Sequence, residues 1–318
     1  MLENIIGKAD FLLASATSSP VTDNISASMQ AASGSPGTPW WVWPLALFVV
    51  TFVLGILAVL AGVGGGVLFV PIVGSFFPFH LDFVRGAGLI VALAGALAAG
   101  PGLLKANLAN LRLALPVALI ASIFSIIGAF LGLALPTNIT QTALGITIML
   151  IATLFIVSKN KEYPDVHTPD KLSKLLDIKG SYYEASAGKT VSWTVWKTPQ
   201  GFALFSVIGL VAGMFGLGAG WANVPVLNLL MGTPLKIAVG SSKFLLSITD
   251  TSAAWVYLNQ GAVLPIIAVP SVLGIMFGSL VGVRLLAGAK PKFVRYLVIT
   301  MLMFAGLSSL LKGLKIWG

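Results

Sequence analysis

Cysteine is absent from this chain of 318 residues, which excludes disulfide bonds, thiolate metal sites and cysteine nucleophiles. A chain without thiols also gives no sign of its redox compartment. Histidine is nearly as scarce: His80 and His167 lie far apart in segments of different character, so a metal centre or a histidine-based catalytic cluster has little support. Charge is scarce too. Asp, Glu, Lys and Arg make up 9% of the residues, against about a quarter in soluble domains, while hydrophobic residues reach 57% and mean hydropathy is +0.97. These values exclude an ordinary soluble domain and describe a polytopic membrane protein. On such a chain the formal net charge of +9 reports topology and contact with the anionic heads of the lipid bilayer, rather than nucleic-acid binding.

What the chain has in abundance is apolar runs interrupted by glycine. Residues 1–39 are rich in Ser, Ala, Thr, Gly and Pro and read as a flexible tail or surface-lying helix; Glu3 and Asp10 stand where a signal peptide needs basic residues. Trp40, Trp41 and Trp43 form an interfacial cluster that completes an N-terminal unit of residues 1–44. Apolar segments follow at about 45–62, 66–78, 82–100, 112–135 and 138–158, and again at about 201–216, 220–231, 235–257, 262–286 and 292–311. In each set the second segment is too short to cross a hydrocarbon core of roughly 30 Å, which needs about 20 helical residues. Residues 159–200 form a polar connector with a short helix near Thr168 to Leu176 and a β-hairpin across Ser181–Ala185 and Thr190–Trp196, read as a solvated link. The expected organisation is therefore repeat 1 over 45–158, the connector, and repeat 2 over 201–318.

The two sets are copies. Gly62-Val63-Gly64-Gly65-Gly66 with Pro71 recurs 154 residues later as Gly216-Leu217-Gly218-Ala219-Gly220 with Pro225, and the same spacing pairs Gly55 with Gly209, Gly86 with Gly240, Pro116 with Pro270 and Gly128 with Gly282. Glycine costs a helix interior roughly 1 kcal/mol relative to alanine and proline about 3, so the duplicated cluster marks a backbone held out of helix. Neither cluster ends in the Gly-Lys-Ser/Thr of a phosphate loop, and a dinucleotide fingerprint would lack its soluble setting.

Lysine and arginine positions bear on how the copies are related. If each set counts as five segments, spanning or re-entrant, fifteen of the nineteen basic residues fall on the connector side: Lys105, Arg112, the seven lysines from Lys159 to Lys197, Lys236, Lys243, Arg284, Lys290, Lys292 and Arg295. The opposite side receives Lys8, Arg85, Lys312 and Lys315. The positive-inside rule then predicts an all-α fold of two inverted repeats, each of four to five membrane segments including a broken or re-entrant helix. It also predicts a cytoplasmic connector and both termini outside the cell membrane.

Inverted repeats with interrupted helices build a central site in many secondary transporters. A helix start inside the bilayer leaves N–H groups unpaired, and an anion satisfies them. The candidate substrate-binding residues are accordingly Gly62, Gly64, Gly65 and Gly66, with Gly216, Gly218 and Gly220; the competing account is that these glycines only permit close helix packing. The copies diverge afterwards. Gly240-Ser241-Ser242-Lys243 leads into Ser247, Thr249, Asp250, Thr251 and Ser252, whereas Gly86 to Ala98 is nearly all aliphatic. Lys243, Ser247 and Asp250 share one helix face. Ser241, Ser242, Lys243 and Asn223 are the expected recognition side chains, Trp221 a neighbour of that cavity, and Asp250 a candidate coupling residue. Asp82 and Arg85, one turn apart, read as a surface ion pair, with His80 in the same loop. No metal or organic cofactor is implied.

At these residues the chain resembles the sulfite exporter TauE/SafE family. The resemblance rests on Gly62-Val-Gly-Gly-Gly with Pro71, on Gly216-Leu-Gly-Ala-Gly with Pro225, and on Ala238-Val-Gly-Ser-Ser-Lys243, and it spans about residues 45–312. It implies an integral membrane carrier for a small anion, typically sulfite or an organosulfonate such as sulfoacetate, often an exporter. Ala219 and Trp221 depart from the first copy, which leaves the substrate within the family open. An anion channel would keep the same site, and an intramembrane enzyme would need Ser247 or Asp250 as a catalytic group, for which no base is recognisable.

Overall fold

The computed structural model describes residues 41–61, 64–105, 109–157, 164, 168–184, 189–285 and 291–315. The N-terminal tail, Trp40, Gly62 and His167 lie outside them. Among the described residues the fold is an all-α bundle with one small hairpin. Its first half runs α1 (Val42–Ala61), α2 (Gly65–Phe76), α3 (Leu81–Lys105), α4 (Leu111–Ala134) and α5 (Thr137–Val157). The connector contributes α6 (Lys171–Leu175), β1 (Lys179–Glu184) and β2 (Lys189–Thr194). The second half runs α7 (Thr198–Phe215), α8 (Gly220–Pro225), α9 (Leu235–Asn259), α10 (Pro265–Leu285) and α11 (Pro291–Gly313). Among the described residues, stretches of α3, α4, α5, α7 and α10 are long and apolar enough to cross a membrane. Helix α9 has the length, at 25 residues, but carries the polar run from Ser241 to Ser252.

The glycine clusters end one helix and start another. Gly216 caps α7 in the left-handed region at φ 66°, a conformation glycine adopts without the cost a side chain brings. Gly64 stands extended at the start of α2. Pro225 lacks the N–H that would continue α8, and the chain passes into one wider turn over Val226–Leu230 before the next loop.

Each broken pair doubles back on itself. Trp43, at the start of α1, meets the rings of Phe77 and Phe79 beyond the end of α2, with centroids 5.9 and 6.1 Å apart. Likewise the Trp196 N–H, just before α7, donates to the Met231 carbonyl after α8 at 3.1 Å. Between the halves, α1 packs on α10, α4 on α7, α5 on α11 and α3 on α9. Small residues allow the close approach: a methyl on Gly55 of α1 would lie 2.7 Å from the Ile275 carbonyl oxygen of α10, and Gly209 of α7 abuts Ala121 of α4.

The connector is not a free solvated link. Ile178, Tyr182, Trp193 and Val195 are buried in one apolar cluster with Leu113 and Val117 of α4, Phe205 of α7 and Met231. The alternation that marks the strands also supplies this docked face. The strands pair from Lys179 opposite Thr194 to Glu184 opposite Lys189, slightly earlier in the chain than the sequence pattern places them.

Candidate functional site

The two helix breaks meet in the middle of the bundle. A methyl on Gly220 would lie 3.1 Å from the Gly64 nitrogen and 3.1 Å from Leu246 Cδ1 of α9, and one on Gly64 would lie 3.6 Å from Gly220 Cα. One residue pair along, a methyl on Gly66 would lie 2.6 Å from the Leu217 carbonyl oxygen. Gly218, at φ 68°, faces α9 and α3: a Cβ there would lie 2.9 Å from Asp250 Oδ2 and 3.1 Å from Ala92 Cβ. Gly65 turns toward Ile275 of α10 and Val91 of α3, and Gly216 lies against the Arg85 backbone. Six of the seven predicted glycines thus lie at this junction; Gly62 is outside the described residues.

The polar side chains around the junction are buried and short of partners. Asn223 is 1% exposed and Asp250 is fully buried. Neither polar atom of Asn223 and neither carboxylate oxygen of Asp250 has a well-formed hydrogen bond, although Asp250 lies beside the Ala219 backbone N–H. The Thr249 hydroxyl and the Trp221 indole N–H are also buried and unpartnered among the described residues. Such groups are costly in an apolar interior, and their presence beside the two facing helix breaks makes the junction the candidate site. Lys243 is half-buried two turns before Asp250, near enough to interact with it electrostatically yet without an ion pair within contact distance. Ser241 accepts a hydrogen bond from the Asn110 N–H at 3.1 Å, so it joins α9 to the start of α4; Ser242 is buried beside it. Ser247 donates to its own helix, to the Phe244 carbonyl at 2.7 Å.

Arg85 departs from the expectation of a surface pair. Its ion pair with Asp82 forms, but the guanidinium is 1% exposed. Its Nη1 donates to the carbonyls of Gly132 in α4, at 3.0 Å, and Met214 in α7, at 2.9 Å. Tyr257 of α9 donates from its hydroxyl to Gly213 and Met214, at 3.1 and 3.2 Å. The last carbonyls of a helix lack intrahelical partners, and where α7 ends inside the bundle Arg85 and Tyr257 supply them. Nothing in the sequence marks Tyr257 for this role; the signal for Arg85 was a positive charge at the fifth residue of a largely aliphatic helix. Outside the membrane, Asp177 pairs with Lys179 Nζ at 2.8 Å and with Arg112. The Lys179 hydrogen bond, together with the two positive charges, holds its carboxyl below the ordinary aspartate value. Among the described residues no group of three or more His, Asp or Glu side chains is placed to hold a metal ion.

The sulfite exporter TauE/SafE family model matches residues 47–309, a span that contains both breaks, Arg85, the connector and Asp250. The chain belongs to the sulfite exporter TauE/SafE family. TauE/SafE membership agrees with its curated relatives. The chain is 24% identical over 278 residues to the probable membrane transporter protein YunE of Bacillus subtilis, covering 84% of this chain and 98% of that one. It is 27% identical over 281 residues to the probable membrane transporter protein MJ0441 of Methanocaldococcus jannaschii, covering 83% and 94%. A third, probable membrane transporter protein ORF9 of a Sinorhizobium species, is 26% identical over 257 residues. No solved structure matches the chain. This TauE/SafE protein is therefore a multi-pass membrane transporter whose two glycine clusters form one junction.

Proposed function

We propose that the chain is a secondary transporter, and an exporter by direction, that moves a small anion by alternating access around the helix-break junction. Sulfite or an organosulfonate such as sulfoacetate is the substrate class that family membership favours. The observation that carries the reading is the meeting of Gly64 and Gly220 beside the unpartnered side chains of Asn223 and Asp250. Here the glycine backbones offer N–H donors, Asn223 and Ser242 offer side-chain donors, and Lys243 supplies the positive charge. A charge near the bilayer centre costs at least about 2.5 kcal/mol, which a bound anion offsets at Lys243. Asp250, buried with the Ala219 backbone N–H beside it and no well-formed hydrogen bond, is the group for a coupling cation, a proton or sodium.

Two inverted repeats fit the packing. The contact of Gly55 with Ile275 is answered by that of Gly209 with Ala121, both members of each pair displaced by 154 residues. Reciprocal contacts of this kind are what a two-fold relation produces. Two halves entering the bilayer from opposite sides give each break its own access route. The positive-inside rule puts the connector in the cytoplasm and both termini outside.

The test is flux of labelled sulfite and sulfoacetate in reconstituted vesicles. Saturable flux with counterflow of the labelled anion is expected for a carrier, and non-saturating flux without counterflow would indicate a channel. Lys243→Ala is expected to reduce flux by about tenfold or more, the scale of removing a partly desolvated charge from a charged ligand. Unchanged flux of every sulfur oxyanion would remove Lys243 from the site.

A further inference from the structure

A cavity of mixed polar and apolar lining lies on the connector, outside the helix-break junction. It is a groove of about 850 Å³ between the hairpin, the start of α4 and the loop into α9. Lys179 and Ser181 of β1 and Thr194 and Ser192 of β2 line it, and they pair directly across the strands, Lys179 with Thr194 and Ser181 with Ser192. Residues opposite one another, and those two apart along a strand, share a face, so the hairpin presents one ammonium and three hydroxyls together. Arg112 adds a guanidinium from the first turn of α4. Pro234, also in the lining, immediately precedes α9, whose first turn has no side-chain cap.

The two cations and three hydroxyls suit an oxyanion, although Pro164, Pro169, Val191, Trp193 and Pro234 make much of the lining apolar, and both cations already have a carboxylate. Asp177 bonds Lys179 on one oxygen and Arg112 on the other, in a pairing that leaves Arg112 63% and Lys179 69% exposed. Exposed pairs of this kind are weak and exchange readily with ions in solution. The groove is also wired to the transport helix. The Asn110 side chain donates to the Lys179 carbonyl at 3.4 Å and its backbone N–H to Ser241 of α9 at 3.1 Å, two residues before Lys243.

We propose that this groove is a capture site for the transported anion on the connector side, with Arg112 and Lys179 as its recognition cations and the Asp177 carboxylate as their built-in competitor. The proposal rests on the transporter reading above and extends it from the central junction to the route that loads it. The ligand is a small anion carrying a sulfonate, sulfite or carboxylate group, which displaces Asp177 from one or both cations and is passed toward Lys243. The hydroxyls of Ser181, Ser192 and Thr194 complete the oxygens the cations do not reach.

Competition makes opposite signs the test. Sulfoacetate binding to the purified full-length protein is measured by titration calorimetry at low ionic strength, and connector-side KM for sulfoacetate in oriented vesicles. Asp177→Asn removes the competitor and keeps the shape, so affinity is expected to rise about two- to fivefold, while Arg112→Gln and Lys179→Gln each lower it by a similar factor. Raising chloride to 0.5 M is expected to compress all three differences, because the groove is open to solvent. Three shifts of the same sign, or none, would overturn the capture site, since a structural ion pair loses equally whichever partner is removed. Lys243→Ala separates the two readings: lost flux with the calorimetric ranking intact supports both. A wild-type protein without flux that keeps the ranking would sink the transporter reading and leave the anion groove standing.

Discussion

A guanidinium inside a membrane bundle persists where its donors have acceptors that nothing else can serve, and the two amino groups of Arg85 meet that condition through helix ends and Asp82, while its Nε is buried and unpartnered among the described residues. One of its amino groups bridges the Gly132 and Met214 carbonyls while the other holds Asp82. A lysine is a compact point charge without that fork, so Arg85→Lys is expected to cost about 1.5 to 3 kcal/mol, the range of hydrogen bonds to charged groups. The check is the thermal unfolding midpoint in detergent; an unchanged midpoint would mean that the carbonyls find other donors. The glycines of the junction can be ranked in the same way. At Gly218 a methyl meets both a left-handed φ of 68° and Asp250 Oδ2 at 2.9 Å, whereas at Gly64 it meets Gly220 Cα at an ordinary 3.6 Å. Gly218→Ala is therefore expected to lose stability by roughly 1 to 2 kcal/mol from the backbone alone, with Gly64→Ala much closer to wild type. Equal midpoints for the two variants would contradict this geometry.

Among the elements, the connector shows where sequence reading stops. The apolar segments and the two breaks were legible because glycine, proline and hydropathy act locally, and the observed helices begin and end within a few residues of the predicted runs. Docking of the hairpin was not legible, because alternation reveals that a strand has an apolar face without naming what covers it; here α4, α7 and Met231 do. Arg85 was misplaced for a related reason, since its partners are backbone carbonyls at the ends of helices distant in sequence, and carbonyls leave no mark in composition. At the candidate site, sequence divergence between the copies pointed to α9, yet it could not show that Ser241 is engaged by Asn110 while Asn223 is unpartnered. The connector makes its own prediction. Asp177 sits at φ 49°, a conformation that asparagine also tolerates, so Asp177→Asn isolates the charge. Because its folded-state pKa is depressed, the pairing stabilises fully above the unfolded value of about 3.9 and is lost as pH falls through the lower folded value. Wild type is expected to melt slightly above Asp177→Asn from pH 8 to 5, with the gap closing below about pH 4. A gap independent of pH would assign the difference to shape rather than charge.

For the whole molecule, the arrangement of ends follows from contacts made by neither break. Near the start of α3, His80 meets Thr137 at the start of α5, and Lys312 at the end of α11 donates to the Ser75 carbonyl at the end of α2. The Ala262 carbonyl, beyond the end of α9, packs against Gly86 in the same region. At the other extreme, Asn110 before α4 reaches the connector strand, and Trp196 before α7 reaches Met231. If the bilayer normal runs along these helices, the loop at Gln260 and the hairpin at Thr190 emerge on opposite sides, as two inverted repeats require and two parallel repeats do not. The cysteine-free chain permits a direct test with single Gln260→Cys and Thr190→Cys variants, both positions being exposed. In sealed right-side-out membranes an impermeant maleimide is expected to label the cysteine at 260 at once and the cysteine at 190 only after permeabilisation. Both being labelled from one side would require an even number of crossings between them, and the reciprocal packing of α1 on α10 and α7 on α4 would then need an axis along the membrane normal instead of within its plane.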